Sequence, residues 1–245
     1  LSIESRKKLK KITSYIMERP NVGFDVWAYK EGIEFIGWNE INQFDELILM
    51  NFTMYGPLYH FKEMFDKMNE KDVDFWGITK HHGFPFDPFG TIPCGYIPEH
   101  IQSSFLCIRS NMHRSKEFHD YWDKMGDINS YGEAVGKHEA IFTITFEQYG
   151  FISDVYVHTD DLKQDTHYPL MIEPLELIKN RRCPVFKRTS FSNEYYEFLN
   201  CCLGEPTVEM YEYIKKNFDY DLNMVWDNLL RVENMSDLKN RMHLN

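Results

Sequence analysis

The chain has 245 residues, 43% hydrophobic and 16% aromatic, with only 13 glycines and 10 prolines. That composition excludes a disordered or fibrous protein and is enough for one large α/β domain with an appendage. Its 27 Lys and Arg against 38 Asp and Glu leave a net charge of −11, which argues against a nucleic-acid partner but not against a local basic pocket for one phosphorylated ligand. Five cysteines with no CxxC pair, Cys201 and Cys202 being adjacent, point to reduced thiols and a cytoplasmic address. No apolar run reaches membrane-spanning length, and the basic start LSIESRKKLKK is followed by no signal-peptide core. A peripheral membrane contact stays open.

Taken in order, residues 1–17 read as a helix with Leu9, Ile12, Tyr15 and Ile16 on one face and cations on the other. An α/β domain that starts on a helix is unusual, so an opening strand is expected upstream of this segment. Pro20 breaks the helix. Gly23 permits a tight backbone after Asn21, and Asp25 is placed to cap a helix carrying Trp27, Tyr29 and Lys30. Residues 47–50 have the length of a strand buried on both faces. A loop from 51 to 59 with Gly56-Pro57, a helix from 61 to 68 and a strand from 73 to 79 complete a strand–loop–helix–strand unit. Its two strands are expected to run parallel, with the loop at their carboxyl edge, where open α/β sheets bind ligands.

Lys80-His81-His82 opens a long loop to about His100, rich in Gly, Pro and Phe, of the kind that binds or covers ligands. Residues 101–109 read as a strand and 115–125 as an amphipathic helix whose Phe118, Tyr121 and Trp122 suit a core. Residues 137–149 read as a helix with His138 and Glu139 in its first turn, ended by Gly150 as a C′ glycine. Residues 154–158 read as a strand and 174–179 as a short helix. RRCPVFKR then sets four cations in eight residues of an acidic chain, a solvated face or a diphosphate contact. From Asn193 onward the pattern is helical, with Pro206 at a first helical position and Asp221 and Ser236 as N-caps. The expected division is a sheet domain over 1–190 and a helical appendage over 191–245.

Three polar groups fall at strand ends or a helix start: Asn21 with Asp25, Asn51 with Thr53, and Glu139. A carboxylate at a helix start serves as a cap or as a general base toward a sugar hydroxyl. There is no P-loop, GxSxG elbow, GxGxxG or HExxH, which removes the common nucleotide hydrolase, esterase, dehydrogenase and metalloprotease readings.

RPNVGFDVWAYKEGI, FDELILMNFTMYGPL, DFWGITKH, EHIQSSFLCIRS, HEAIFTITFEQYGF and CPVFKR, in that order, resemble the rhamnan synthesis protein F family over essentially the whole chain. The resemblance implies a GT-A-like glycosyltransferase of bacterial polysaccharide synthesis, acting from a nucleotide-sugar donor such as dTDP-L-rhamnose on a saccharide or lipid-linked acceptor at the inner membrane face. It implies that Asn21, Gly23 and Asp25 face the nucleotide and that Asn51 begins the loop that serves as the metal motif, and Asn51 and Thr53 are counted with them among the residues that bind the nucleotide sugar. It further implies Glu139 as catalytic base, His100 and Gln102 on the acceptor side, and Lys187 and Arg188 against the diphosphate. The sequence departs from the family at Phe52, where an aspartate is usual. Phenylalanine cannot ligate Mg or Mn, so no metal ligand is assigned and a metal-bridged diphosphate is put in question, while a divalent cation stays open as a cofactor. Two other readings stand beside this one: a non-catalytic carbohydrate-binding or scaffold protein on the same fold, and a metal-dependent hydrolase using His81, His82 and nearby aspartates.

Overall fold

FLCIR, residues Phe105–Arg109, is buried over its first four positions and lies inside the central sheet. A computed structural model describes residues 2–192, 196–197, 200–201 and 204–232. The first half contains α1 (Ile3–Leu9), α2 (Phe24–Ile36), α3 (Trp38–Ile41), β1 (Glu46–Met50), β2 (Met54–Tyr55), α4 (Phe61–Asn69), β3 (Phe75–Gly77), β4 (Lys80–His81), β5 (His100–Ile101) and β6 (Phe105–Arg109). Next come α5 (Ser110–His113), α6 (Lys116–Asp123), α7 (Tyr131–Ala134), a π segment (Val135–Glu139), α8 (Ala140–Gln148) and β7 (Ser153–Val155). The remainder holds α9 (Pro169–Ile172), α10 (Pro174–Arg181), β8 (Phe186–Lys187), β9 (Tyr196–Glu197), β10 (Asn200–Cys201), α11 (Glu205–Asn217) and α12 (Asn223–Val232).

The sheet order is β1-β6-β3-β7. β6 runs antiparallel to β1, with Met50 opposite Phe105, and to β3, with Gly77 opposite Leu106; β3 and β7 are parallel. The strands β1, β3 and β7 therefore point the same way, and their carboxyl ends share one edge with the start of β6. Side chains alternate between two layers, as the pleat requires. Leu106, Ile108, Phe75 and Val155 pack under α2, α6 and α8 with Phe118, Trp122, Phe142 and Phe146. Phe105, Cys107, Trp76 and Tyr156 pack on the other face with Met64 and Met68 of α4 and Leu177 of α10. A third cluster, Ile178, Phe186, Phe191, Met210, Ile214, Val225 and Leu229, seats α11 and α12 against α10 and the β2–β8 pair.

Several expectations are corrected. β1 is an edge strand rather than one buried on both faces: Leu49 is buried while Ile48 and Met50 are 43% and 53% exposed. The two parallel strands of the expected unit run alike but are separated by β6. The strand expected over 101–109 splits, because residues 102–104 leave the ladder to form a turn between β5 and β6. The first helix covers only Ile3–Leu9 and buries no residue, Ile3 and Ile12 lying exposed. The helical start at Asn193 is displaced: a short β9–β10 pair precedes α11. Ser236 lies outside the described residues. Gly150, with φ 94°, does end α8 as a C′ glycine, its N–H donating to Glu147 O at 2.9 Å. Asp221 accepts from Asn223 N at 3.1 Å where α12 begins.

Candidate functional site

The loop after β1 is organised by one side chain. Asn51 Oδ1 accepts from Thr53 N at 3.0 Å and from Thr53 Oγ1 at 2.6 Å, an Asx turn that carries the chain away from the sheet. Asn51 Nδ2 donates to Asp25 Oδ2 at 2.6 Å, which ties this loop to the start of α2. There Gly23 is the N-cap with φ 71°, and Phe24 follows at φ 58°, a conformation uncommon for a bulky residue. Asp25 is thus a first-turn residue rather than the cap: its Oδ1 accepts from Val26 N at 3.0 Å and its Oδ2 serves Asn51.

On the far side, β2 pairs with β8 and brings Lys187 to the same place. Lys187 is 8% exposed and its ammonium lies 3.4 Å from Thr53 Oγ1. Burial lowers its pKa, while the Glu139 and Asp25 carboxylates and the Tyr131 phenol pull it back up. Glu139 is also felt by the buried Tyr29 and His100 and by the half-buried Tyr168. Tyr29 donates to Ser103 O at 3.0 Å, Tyr168 hydrogen-bonds Gln102, and Gln102 accepts from Thr79 Oγ1 at 2.8 Å. His100 donates from Nδ1 to Pro98 O at 2.8 Å and stacks on His81, centroids 5.1 Å apart. Burial holds the tyrosines' pKa values up and those of both histidines down, so all four rings are neutral at pH 7.

The placement of Glu139 differs from the expected helix start. α7, the π segment and α8 form one continuous helical stretch, and Glu139 closes its π turn with helical backbone and no capping bond. Among the described residues its carboxylate has no hydrogen-bond partner, so a cap role is ruled out. A π turn has no clear sequence signature, and such turns recur at functional sites.

The structure therefore brings Asp25, Asn51, Thr53, Lys187, Glu139, His100 and Gln102 to one edge of the sheet. Gly23 shapes the backbone there. Asn21 is exposed two residues upstream and joins none of them by a hydrogen bond. Arg188 turns aside: it donates to Phe52 O at 3.0 Å and to Asn228, and its guanidinium lies 5.3 Å from the centroid of the Phe52 ring. Sequence reasoning missed Tyr29, Tyr131 and Tyr168. Tyr29 was findable, since it stands four residues after Asp25 on the same helix face.

A divalent cation does not fit the loop after Asn51. Among the described residues the one carboxylate bonded into it, Asp25, is engaged by Asn51, Phe52 is 77% exposed, and an ammonium sits beside Thr53. Elsewhere among the described residues, His82, Glu99 and Asp160 cluster within 4.8 Å. Lys163 already bridges the two carboxylates at 2.7 and 2.8 Å, and Lys80 adds 3.2 Å to Glu99. His81 is outside this group. A groove of about 650 Å³ at the opposite end of the sheet is lined by Asp45, Glu46, Asp72 and Asp74 with one arginine, Arg109, a poor match for a phosphorylated ligand.

Comparison with known proteins follows the same line. The family model for rhamnan synthesis protein F matches residues 1–243. The chain belongs to the rhamnan synthesis protein F family. That membership ties it to rhamnan and polysaccharide synthesis. It is similar to the uncharacterized protein y4gN of Sinorhizobium fredii (strain NBRC 101917 / NGR234), 26% identical over 159 residues, which cover 64% of this chain and 39% of the relative. The chain thus spans about two-fifths of that relative's length. No solved structure matches significantly. Among the described residues of this rhamnan synthesis protein F family member, no helix is long and apolar enough to cross a membrane.

Proposed function

We propose that the chain is a GT-A-like glycosyltransferase that moves a sugar, with dTDP-L-rhamnose as donor, onto a saccharide of a growing cell-wall or surface polysaccharide. Family membership supports the pathway, and the sheet edge supports the chemistry. In this reading Asp25, Asn51 and Thr53 orient the donor. Glu139 takes the proton from an acceptor hydroxyl as its oxygen attacks the anomeric carbon. The bond from that carbon to the diphosphate breaks, and the charge released onto the diphosphate is met by the Lys187 ammonium, pre-placed where water is excluded. His100 and Gln102 hold the acceptor side. Arg188 holds the Phe52 loop and only indirectly supports the diphosphate.

One observation carries the proposal: at the carboxyl edge of the sheet, the buried Lys187 ammonium sits beside Thr53, and Glu139, a carboxylate with no hydrogen-bond partner among the described residues, is near enough to raise that ammonium's pKa. Replacing Glu139 with Gln keeps shape and hydrogen-bonding capacity but removes the base. Transfer from dTDP-L-rhamnose is expected to fall about 10²–10⁴-fold, with dTDP affinity by calorimetry within a factor of two. Turnover equal to wild type would take Glu139 out of the role. Phe52 favours the alternative, a non-catalytic carbohydrate-binding or scaffold protein, and failure of the wild-type chain to bind dTDP would select it.

A further inference from the structure

Beside the polar cluster lies a group of exposed rings that the proposed chemistry does not use. Phe24, Phe89 and Tyr131 come from three separate segments and are 43%, 36% and 63% exposed. Tyr131 is central: its ring lies 6.3 Å from Phe24 at 65° and 5.8 Å from Phe89 at 82°. Single exposed apolar residues are ordinary, whereas a contiguous group marks a contact surface.

These rings are held in place by the fold. Asp87 accepts from Phe89 N at 2.8 Å and Ile92 N at 2.7 Å, and Thr91 Oγ1 donates to Gly132 O at 2.7 Å. The loop thereby clamps onto the helical stretch that bears both Tyr131 and Glu139. Gly132 and Gly136 permit this close approach: a Cβ on Gly132 would lie 3.1 Å from Phe89 Cβ, and one on Gly136 3.0 Å from Thr91 Cβ. The rings also border the cluster. Phe24 adjoins Asp25 in sequence, and the Tyr131 phenol is within electrostatic reach of Glu139, Tyr168, Lys187 and Asp25.

A surface that is aromatic on its rim and carries carboxylate, amide and hydroxyl groups inside suits an amphipathic ring compound. A pyranose has C–H faces that lie on aromatic rings and hydroxyls that reach polar groups. The two ring pairs meet edge to face, which makes angled corners for a puckered sugar rather than the parallel faces that hold a flat base. We propose that Phe24, Phe89 and Tyr131 form an acceptor subsite that grips pyranose units of the saccharide next to the hydroxyl delivered to Glu139. This rests on the glycosyltransferase reading for its last clause only.

The test uses the full chain with Phe89→Ala, Tyr131→Ala and the conservative Tyr131→Phe. Methyl α-L-rhamnopyranoside and a rhamnose disaccharide serve as probes in saturation-transfer NMR and as acceptors in transfer assays, with dTDP titrated in parallel. Both alanine variants are expected to raise the acceptor KM at least tenfold and abolish saturation transfer. Tyr131→Phe should keep near-wild-type acceptor binding, and dTDP affinity should stay within twofold throughout. Because the side chains are exposed, melting temperatures should move by no more than about 2 °C. An acceptor KM unchanged in both alanine variants overturns the subsite while leaving the transferase reading intact. Weakened dTDP binding instead overturns it in favour of a nucleobase platform. Rhamnoside binding that the alanine variants lose, in a chain that transfers nothing, keeps the subsite and removes the transferase reading.

Discussion

Replacing Lys187 with Met tests the site most sharply, because its effects on stability and on function should run in opposite directions. Lys187 is 8% exposed, and its long contact to Thr53 Oγ1, 3.4 Å, contributes little. Removing an ammonium from water costs several kcal/mol, and Asp25 and Glu139 repay part of that from beyond hydrogen-bond range. Met fills nearly the same volume without the charge. Folding stability should therefore hold or rise by about 1–2 kcal/mol, a Tm increase of up to roughly 2–8 °C for a chain of this size. The functional effect is larger. An ammonium about 3 Å from a diphosphate oxygen at an effective dielectric constant of about 20 gains roughly 5–6 kcal/mol before desolvation. One such pre-placed donor typically contributes about 2.7–4 kcal/mol to the transition state. The variant should lose about 100- to 1,000-fold in kcat/KM and bind dTDP more weakly. Thermal melts, dTDP calorimetry and transfer assays on one preparation read all three. A lower Tm with dTDP affinity unchanged would refute the reasoning, since it would make Lys187 a structural residue.

Two further predictions complement the Glu139 and rim variants. Gly23→Ala forces a side chain into φ +71° and sets its Cβ 2.7 Å from Trp27 Cγ; urea denaturation should show a loss of about 1–3 kcal/mol, and an unaltered midpoint would show that the turn is not strained. His138 is fully buried, bonded through Nδ1 to Tyr121 OH at 2.6 Å, and burial pushes its pKa down to about 3. As pH falls below about 6.5 the unfolded chain takes up a proton that the folded chain refuses, so this residue's contribution to stability is full above 6.5 and shrinks by about 1.4 kcal/mol per pH unit toward 3. At pH 5 the loss is about 2 kcal/mol. Urea titrations of wild type and His138→Asn between pH 7.5 and 4.5 should differ in slope by one proton; parallel slopes would contradict the assignment.

Most members of the candidate site stand out in the sequence because they punctuate the chain. Asn51 ends an apolar run, Asp25 follows a glycine, and Lys187 sits in a basic knot within an acidic sequence. Each of these is a local signal, and the sheet topology does the rest by bringing strand ends to one edge. What escaped reading depends on context beyond the chain's own spacing. The run at 47–50 is equally apolar in an inner strand and in an edge strand, and only the neighbour list distinguishes them. Tyr168 acts through Gln102 across the fold, and the rim rings are brought together by glycines whose small size gives no hint of which partner approaches. The amphipathic pattern of residues 1–17 was real, but a pattern alone cannot hold a helix without a surface to cover, and only Ile3–Leu9 is helical.

The π turn at 135–139 also has an evolutionary consequence. A π turn amounts to one amino acid added to an existing α-helix, and its removal would rotate everything that follows by about 100°. Here Phe142 and Phe146, wedged among Phe75, Phe118 and Trp122, resist that rotation. Deleting one residue from this helix would therefore dismantle the layer beneath it, so the length of the stretch that carries Glu139 is fixed by its packing.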